Sequence, residues 1–275
     1  MNLRNNKVIN DFGKEWEAYN QTDLSSKELN ELFKNYFDIF PFHLLNKNSI
    51  GFDMGCGSGR WAKLIAPRVK KLYCIEPSKK AINEAKKNLR KNKNCEFLNC
   101  DVLSNPLEKN SQDFGYCLGV LHHMSDTELA LKNCINKLKK GSPFLLYLYY
   151  KFDNKPLWYK FIWKQSDFFR QLISILPFKL KLFITILIAI FIYWPLARIS
   201  LVLENLGIDV TNIPISSYKK TSFYTMKTDA LDRFGTKLEK RFTKTEILEM
   251  MEGSGLKNIK FKDKPPFWVA VGEKN

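Results

Sequence analysis

The stretch Ile50 to Trp61 reads I-G-F-D-M-G-C-G-S-G-R-W. An apolar strand-like run ends in an acid, Asp53; Gly55, Gly57 and Gly59 follow at alternate positions, and a helix-like segment begins at Arg60. Glycines let a backbone approach a ligand where side chains would block it, and a helix N-terminus aimed at the same place attracts polar groups. The stretch reads as the loop of a nucleotide-type cofactor site. The plainer reading is a ligand-free turn, which would carry the conformational entropy of three glycines to no end.

Spacing narrows the ligand. A dinucleotide fold takes G-x-G-x-x-G/A, and counting from Gly55 and Gly57 puts Arg60 where the third small residue belongs. A Walker loop takes G-x-x-x-x-G-K-[ST], and no lysine and hydroxyl follow Gly59 in that register. Asp53 argues against phosphate, because a carboxylate at the strand end repels one and suits a ligand with an ammonium group. S-adenosylmethionine carries that ammonium and a sulfonium besides.

With 275 residues and 45% apolar content, the chain can bury one large core, or one core with a substantial insertion. The formal charge is +16, but only eight of the 44 basic residues are arginine, so the charge points only weakly to an anionic partner: a phosphorylated substrate, RNA or an anionic membrane. The six cysteines all precede residue 135 and form no C-x-x-C pair, which disfavours zinc or redox chemistry; no metal site is expected. Free thiols inside apolar runs suit a reducing compartment, and Met1 to Tyr19 is charged without a signal-peptide apolar core, so a cytoplasmic location is expected.

Residues 1–49 read as a helical segment. Leu29, Leu32, Phe33, Tyr36, Phe37 and Phe40 recur at helical spacing before Pro41. Upstream, Phe12, Trp16 and Tyr19 sit three or four apart, as an aromatic edge over the cofactor or as the packed face of an amphipathic helix. From residue 50 to 150 strands alternate with helices. The expected strands are 50–54, 72–76, 95–99, 114–119 and 143–150, and the clearest helices are 78–92 and 126–140, the second with a capping box from Ser125 to Glu128. Such alternation predicts a parallel sheet. Glu76 and Asp101 then fall at strand ends as Asp53 does, and ligands of open parallel sheets lie outside those ends. Glu76 stands where an acid can accept from both ribose hydroxyls.

D-M-G-C-G-S-G, Y-C-I-E-P-S, F-L-N-C-D-V and D-F-G-Y-C-L-G-V-L-H-H-M, in that order, resemble the successive motifs of class I S-adenosylmethionine-dependent methyltransferases of the broad type-11 or ubiquinone-biosynthesis-like group, across roughly residues 45–150. The resemblance implies an α/β Rossmann-like fold: a seven-stranded, mostly parallel sheet with the last strand antiparallel and helices on both faces, plus a helical insertion or cap. It implies that Asp53, Gly55, Gly57 and Gly59 hold the methionine part, that Glu76 holds the ribose, and that Asp101 and Val102 meet the adenine. Leu118, Gly119 and His122 would then lie near the transferred methyl.

After Tyr150 the pattern breaks. Residues 241–275 complete the core, with a capping box at Thr243 and Glu246 and a hairpin around Pro265 and Pro266. Residues 151–240 are expected as an apolar helical insertion, where such a family diverges between substrates. Pro156 to Leu176 sets lysines along one face of a helix and Trp158, Phe161 and Phe169 elsewhere, which suits a membrane interface. Leu182 to Ala197 is 16 residues without a charge, short of the roughly 20 a spanning helix needs. A cap or dimer helix, an interfacial helix and a true span all stay open.

Methyl transfer is an in-line displacement in which the acceptor must be held close, aligned and dry. An oxygen acceptor also needs a general base, and His122 or His123 is the candidate, with shaping of the pocket as the plainer role. His122→Ala is expected to spare cofactor binding and lower turnover. The partners expected are a small-molecule or lipid-linked acceptor, with an anionic membrane surface at its inner face and a homodimer through the insertion as further partners. Two other readings are an RNA methyltransferase prompted by Lys79, Lys80, Lys86, Lys87, Arg90, Lys91 and Lys93, which are more often a solvated helix face, and a non-catalytic membrane-associated or scaffolding protein retaining the fold.

Overall fold

A computed structural model describes residues 3–275, with side chains from residue 9 onwards; the first two residues of the expected N-terminal helical segment lie outside the described residues. The described chain divides into two units: residues 3–22, 29–151 and 238–275 form the first, and residues 23–28 and 152–237 the second.

The first unit is built on a seven-stranded sheet of β1 (Ile50–Met54), β2 (Lys71–Ile75), β3 (Cys95–Leu98), β4 (Phe114–Leu118), β5 (Pro143–Tyr147), β6 (Leu256–Phe261) and β7 (Ala270–Lys274) in the order β3-β2-β1-β4-β5-β7-β6. The first five pair in parallel, and β7 runs antiparallel to both β5 and β6. The mostly parallel sheet with an antiparallel last strand is the fold the motifs imply.

Alternation along the two central strands sorts the faces. Phe52 and Met54 of β1 join Cys117 of β4 and Phe144 and Leu146 of β5 in a core completed by α5 (Thr127–Ile135) and α10 (Lys244–Gly253). On the opposite face Phe114 and Tyr116 meet an aromatic layer, where Phe40 and Phe37 approach them edge-on at centroid distances of 6.4 and 5.3 Å. Two glycines make room for the rings: a Cβ on Gly51 would strike Phe114, and one on Gly115 would strike Phe52, each the glycine's cross-strand partner. Phe37 is the last residue of α2 (Ser26–Phe37), whose Leu29, Phe33 and Phe37 are buried as the helical spacing predicts.

Boundaries shift where local chemistry differs from pattern. The cap of α5 is Asp126 rather than Ser125: its Oδ1 accepts the Leu129 amide proton at 2.9 Å, so the carboxylate one residue on serves the first turn. The Thr243–Glu246 capping box of α10 forms with both reciprocal bonds. Strand β5 stops at Tyr147, and β7 starts at Ala270 beyond the two prolines. The helix expected from Arg60 shortens to the single turn α3 (Ala62–Ile65), ended by a tight turn holding Pro67. In the second unit lie α6 (Leu157–Ser174), α7 (Phe178–Ile188), α8 (Trp194–Asn205) and α9 (Phe223–Gly235), with a π-helical stretch, Ala189–Tyr193, making α7 and α8 one continuous helix.

Candidate cofactor and active site

Parallel pairing of β3, β2, β1 and β4 brings their carboxyl ends to one edge, and the glycine loop curls over it. The Gly55 and Cys56 amides donate to Ile75 O at the end of β2 (2.8 and 3.0 Å), and Gly59 N donates to Cys56 O at 2.8 Å. The three loop glycines all have φ between +54° and +80°. A Cβ on Gly57 would lie 2.8 Å from the Trp16 indole and one on Gly59 2.7 Å from Leu89 Cδ1, so the loop tolerates no side chain at either place.

Glu76 binds into this loop. Its Oε2 accepts from Gly57 N at 3.1 Å and its Oε1 from Ser78 N at 2.9 Å, yet burial pushes its pKa up to about 7 against those two bonds. Asp53 is 1% exposed, and its Oδ2 has no hydrogen-bond partner. Burial pushes its pKa up to about 8; the Tyr116 hydroxyl opposes the rise, Glu76 adds to it and Arg60 opposes it. Tyr116 is the cross-strand neighbour of Asp53, but its hydroxyl forms no well-shaped hydrogen bond with the carboxyl group. A buried, unsatisfied carboxyl group costs on the order of 1–3 kcal/mol until a donor arrives. An ammonium is the donor that fits it.

The remaining positions differ in character. Asp101 closes a turn, its Oδ1 accepting from Leu103 N and Ser104 N at 2.8 and 2.9 Å, and with Pro77, Asn99, Cys100, Leu103 and Ser104 it lines an open groove. Val102 is buried in the core beneath. Leu118 ends β4, and Gly119 follows at φ +78° with open space where a Cβ would stand.

The helix α1 (Leu3–Ala18) bears on the same edge: Trp16 covers Gly57, Gly13 lies against Ser78, and the Phe12 ring sits 4.8 Å from the His123 ring. Tyr19, just beyond, is buried. Of the three aromatics only Trp16 is seen over the loop, and the helix as a whole packs on the helix that follows β2, so both readings of the spacing hold in part. Position in sequence gives no sign of Tyr116, whose place opposite Asp53 depends on strand register.

The two histidines are not equivalent. His122 is fully buried, its ring stacks on Tyr149 at 3.8 Å, and its Nδ1 receives the Tyr149 amide proton at 3.4 Å. That bond puts the ring's own proton on Nε2, which has no partner. Burial, the neighbouring His123 and then Arg241 hold its pKa well below the ordinary value, so it stays neutral. His123 donates from Nδ1 to Leu238 O at 2.7 Å, a bond that assigns its lone pair to Nε2. Only the second ring has a basic nitrogen set by its hydrogen bonding, and that Nε2 is itself buried, so an acceptor must reach it inside the protein.

The basic residues of α4 (Lys79–Asn88) and the turn after it are exposed, and Lys80 and Lys87 pair with Glu17 and Glu84 at 2.6 Å each, as on a solvated helix face. Among the described residues no group of three or more His, Cys, Asp or Glu side chains is arranged to hold a metal ion.

This sheet order with a glycine loop and an acid at the second strand's tip defines a Rossmann-like domain for a nucleotide-type cofactor. Residues 52–146 match the methyltransferase domain family. An uncharacterised methyltransferase of Geobacillus sp. (strain WCH70) is 29% identical over 131 residues, which is 46% of this chain and 61% of that protein. The chain thus spans less than two thirds of the curated relative it matches. A crystal structure of a S-adenosylmethionine-dependent methyltransferase from Thermotoga maritima superposes with a TM-score of 0.52 at 15% identity, covering 98% of this chain and all of that one. A methyltransferase solved in complex with the Haloferax volcanii Trm112 activator gives 0.50 at 13% identity, over 95% of this chain and 96% of that one. Residues 52–146 are thus similar to the methyltransferase domain family, and S-adenosylmethionine is the cofactor that this likeness indicates.

Proposed function

We propose that this protein transfers a methyl group from S-adenosylmethionine to a small-molecule or lipid-linked acceptor. The observation that carries the reading is Asp53, a buried carboxyl group with an unsatisfied oxygen at the tip of the central strand beside the glycine loop. Asp53 holds the ammonium, the glycine loop lies along the methionine part, Glu76 takes the ribose, and Asp101 with its groove takes the adenine. Bound there, S-adenosylmethionine supplies a methyl group made electrophilic by the sulfonium. The residues of this chain then position and desolvate the reactants, which accounts for most of the rate in such a displacement.

Where the acceptor is a hydroxyl, His123 takes its proton at Nε2, and the Nδ1 bond to Leu238 O steadies the imidazolium that results. His122 supports the ring from behind as a buried positioning residue. His123→Gln lowers turnover on an oxygen acceptor by about 10²-fold or more and removes the acidic limb of the pH–rate profile, where protonation silences a base, with S-adenosylmethionine affinity unchanged. His122→Ala differs by also lowering the melting temperature, because it empties a fully buried site. Equal turnover in wild type and His123→Gln would remove the base. The reading carries with it a chain in the cytoplasm at the inner face of a membrane, supported by six unpaired thiols.

A further inference from the structure

The helices of the second unit are amphipathic the wrong way round for water. On α6, Leu157 (83% exposed), Phe161 (64%) and Phe168 (57%) face outward, and the buried residues are Arg170 and Ser174. On the continuous helix of α7 and α8, Phe183, Phe191 (72%) and Val202 face outward, while Lys181, Thr185 and Ser200 are buried. Only 22% of the most apolar window of this 28-residue helix is buried. Soluble proteins seldom expose apolar patches larger than a few hundred Å².

Every one of those inward polar groups is satisfied within the unit. Arg170 donates to Thr236 O at 2.9 Å and to Asp167 Oδ1 at 2.6 Å, and Lys181 donates to Gly235 O at 3.0 Å. The hydroxyls of Ser174, Thr185 and Ser200 donate to carbonyls of their own helices at 2.9, 3.1 and 2.8 Å. Polar groups turned inward and paired, with bulky apolar side chains outward, is the arrangement a lipid environment selects.

Three occupants of such a face are conceivable, and charge and packing separate them. Residues 152–237 carry twelve Lys and Arg against six Asp and Glu. On α6 and α7 the one acid, Asp167, is held by Arg170 and Gln171, so the unpaired charge beside the apolar faces is that of lysines such as Lys164 and Lys179, both exposed. A second copy would bring lysine toward lysine; anionic phosphates complement it. Length and composition would let this 28-residue helix cross a membrane, but its other side argues against that course: Ala189, Tyr193 and Ala197 pack on Met226, Ala230 and Phe234 of α9, a helix carrying Lys227, Asp229, Asp232 and Arg233. A helix fixed on so polar a neighbour has one face for lipid, and Trp158 and Trp194, each about half exposed, are side chains of the type that membrane interfaces favour.

We propose that the outward faces of α6 and of the continuous α7–α8 helix insert into the headgroup–acyl boundary of an anionic phospholipid bilayer, the helices lying in the membrane plane with Lys164 and Lys179 against lipid phosphates. The proposal rests on the second unit alone and needs no methyl transfer. Full-length protein is sedimented with vesicles of phosphatidylcholine or of a phosphatidylcholine–phosphatidylglycerol mixture, with S-adenosylmethionine affinity measured on the same samples. Wild type is expected to pellet with the mixed vesicles at least about tenfold more than with phosphatidylcholine, and to be extracted by alkaline carbonate. Phe161→Glu with Phe191→Glu, both outward, lowers partitioning by about tenfold or more, and Lys164→Glu with Lys179→Glu removes the preference for anionic lipid, with cofactor affinity unchanged in each. Equal binding by the phenylalanine variant, no binding by wild type, resistance to carbonate, or a lipid-free dimer dissolved by Phe191→Glu would each overturn it.

Discussion

Asp53→Ala weakens S-adenosylmethionine binding by about 10- to 100-fold, the loss expected when a charged group loses its hydrogen-bonded counterpart in a buried site. The effect is large because, among the described residues, no group hydrogen-bonds Asp53 Oδ2. Its raised pKa gives the prediction a second readout. With a folded pKa of about 8, against about 3.9 for an unfolded aspartate, the carboxyl group of the ligand-free protein is mostly protonated at pH 7. An arriving ammonium favours the carboxylate, so binding near pH 7 releases close to one proton, and affinity rises with pH up to about 8. Titration calorimetry in buffers of different ionisation enthalpy measures that proton, and Asp53→Asn is expected to abolish it. Stability follows the opposite sign. A folded pKa above the unfolded one contributes stability that is complete below about pH 4 and is lost as pH rises through about 8. The melting temperature of the ligand-free protein therefore falls from pH 5 to pH 8.5, and Asp53→Asn flattens the fall; a flat wild-type profile would count against a buried protonated carboxyl group.

Gly59→Val is the most damaging single change expected in the loop. At φ +80° any L side chain costs about 1–2 kcal/mol, and the Cβ would stand 2.7 Å from the Cδ1 of Leu89, which is buried and cannot retreat into solvent. Strain and overpacking together come to about 2–5 kcal/mol, roughly 5–15 °C in melting temperature. Cofactor binding falls with it. Gly141→Ala is the control: its φ is +79° but no atom lies within 4 Å of the added Cβ, so only the backbone cost is incurred. Equal losses at the two positions would show that backbone strain alone, and not the close approach of Leu89, explains the loop glycines.

Much of the first unit was legible in its residues because its signals are local. The run Ile50–Met54 coincides with β1, and the Thr243–Glu246 box caps α10, since periodicity and capping act over a few residues. The acids at strand ends were legible for the same reason. Strand ends were less so: β5 stops three residues before the apolar run does, and α5 is capped by Asp126 and not Ser125, because pairing partners and competing caps decide such limits. The difference between His122 and His123 was not legible at all. They are adjacent in sequence, and only the acceptor of one ring and the donor to the other separate a buried support from a ring with a basic nitrogen.

The apolar run from Leu182 to Ala197 marks the boundary between the two kinds of information. Residue order along the chain established a nucleotide-type loop, a parallel α/β core and a helix too apolar for ordinary solvent exposure, since each depends on residue type and spacing. Tertiary structure decided which side of that helix meets the protein: small and polar residues turn inward to α9, and phenylalanines turn outward. It likewise decided that Asp53 faces Tyr116 and has one oxygen unsatisfied. Burial and hydrogen-bond satisfaction are set by residues distant in sequence, and no local pattern encodes which of them arrives.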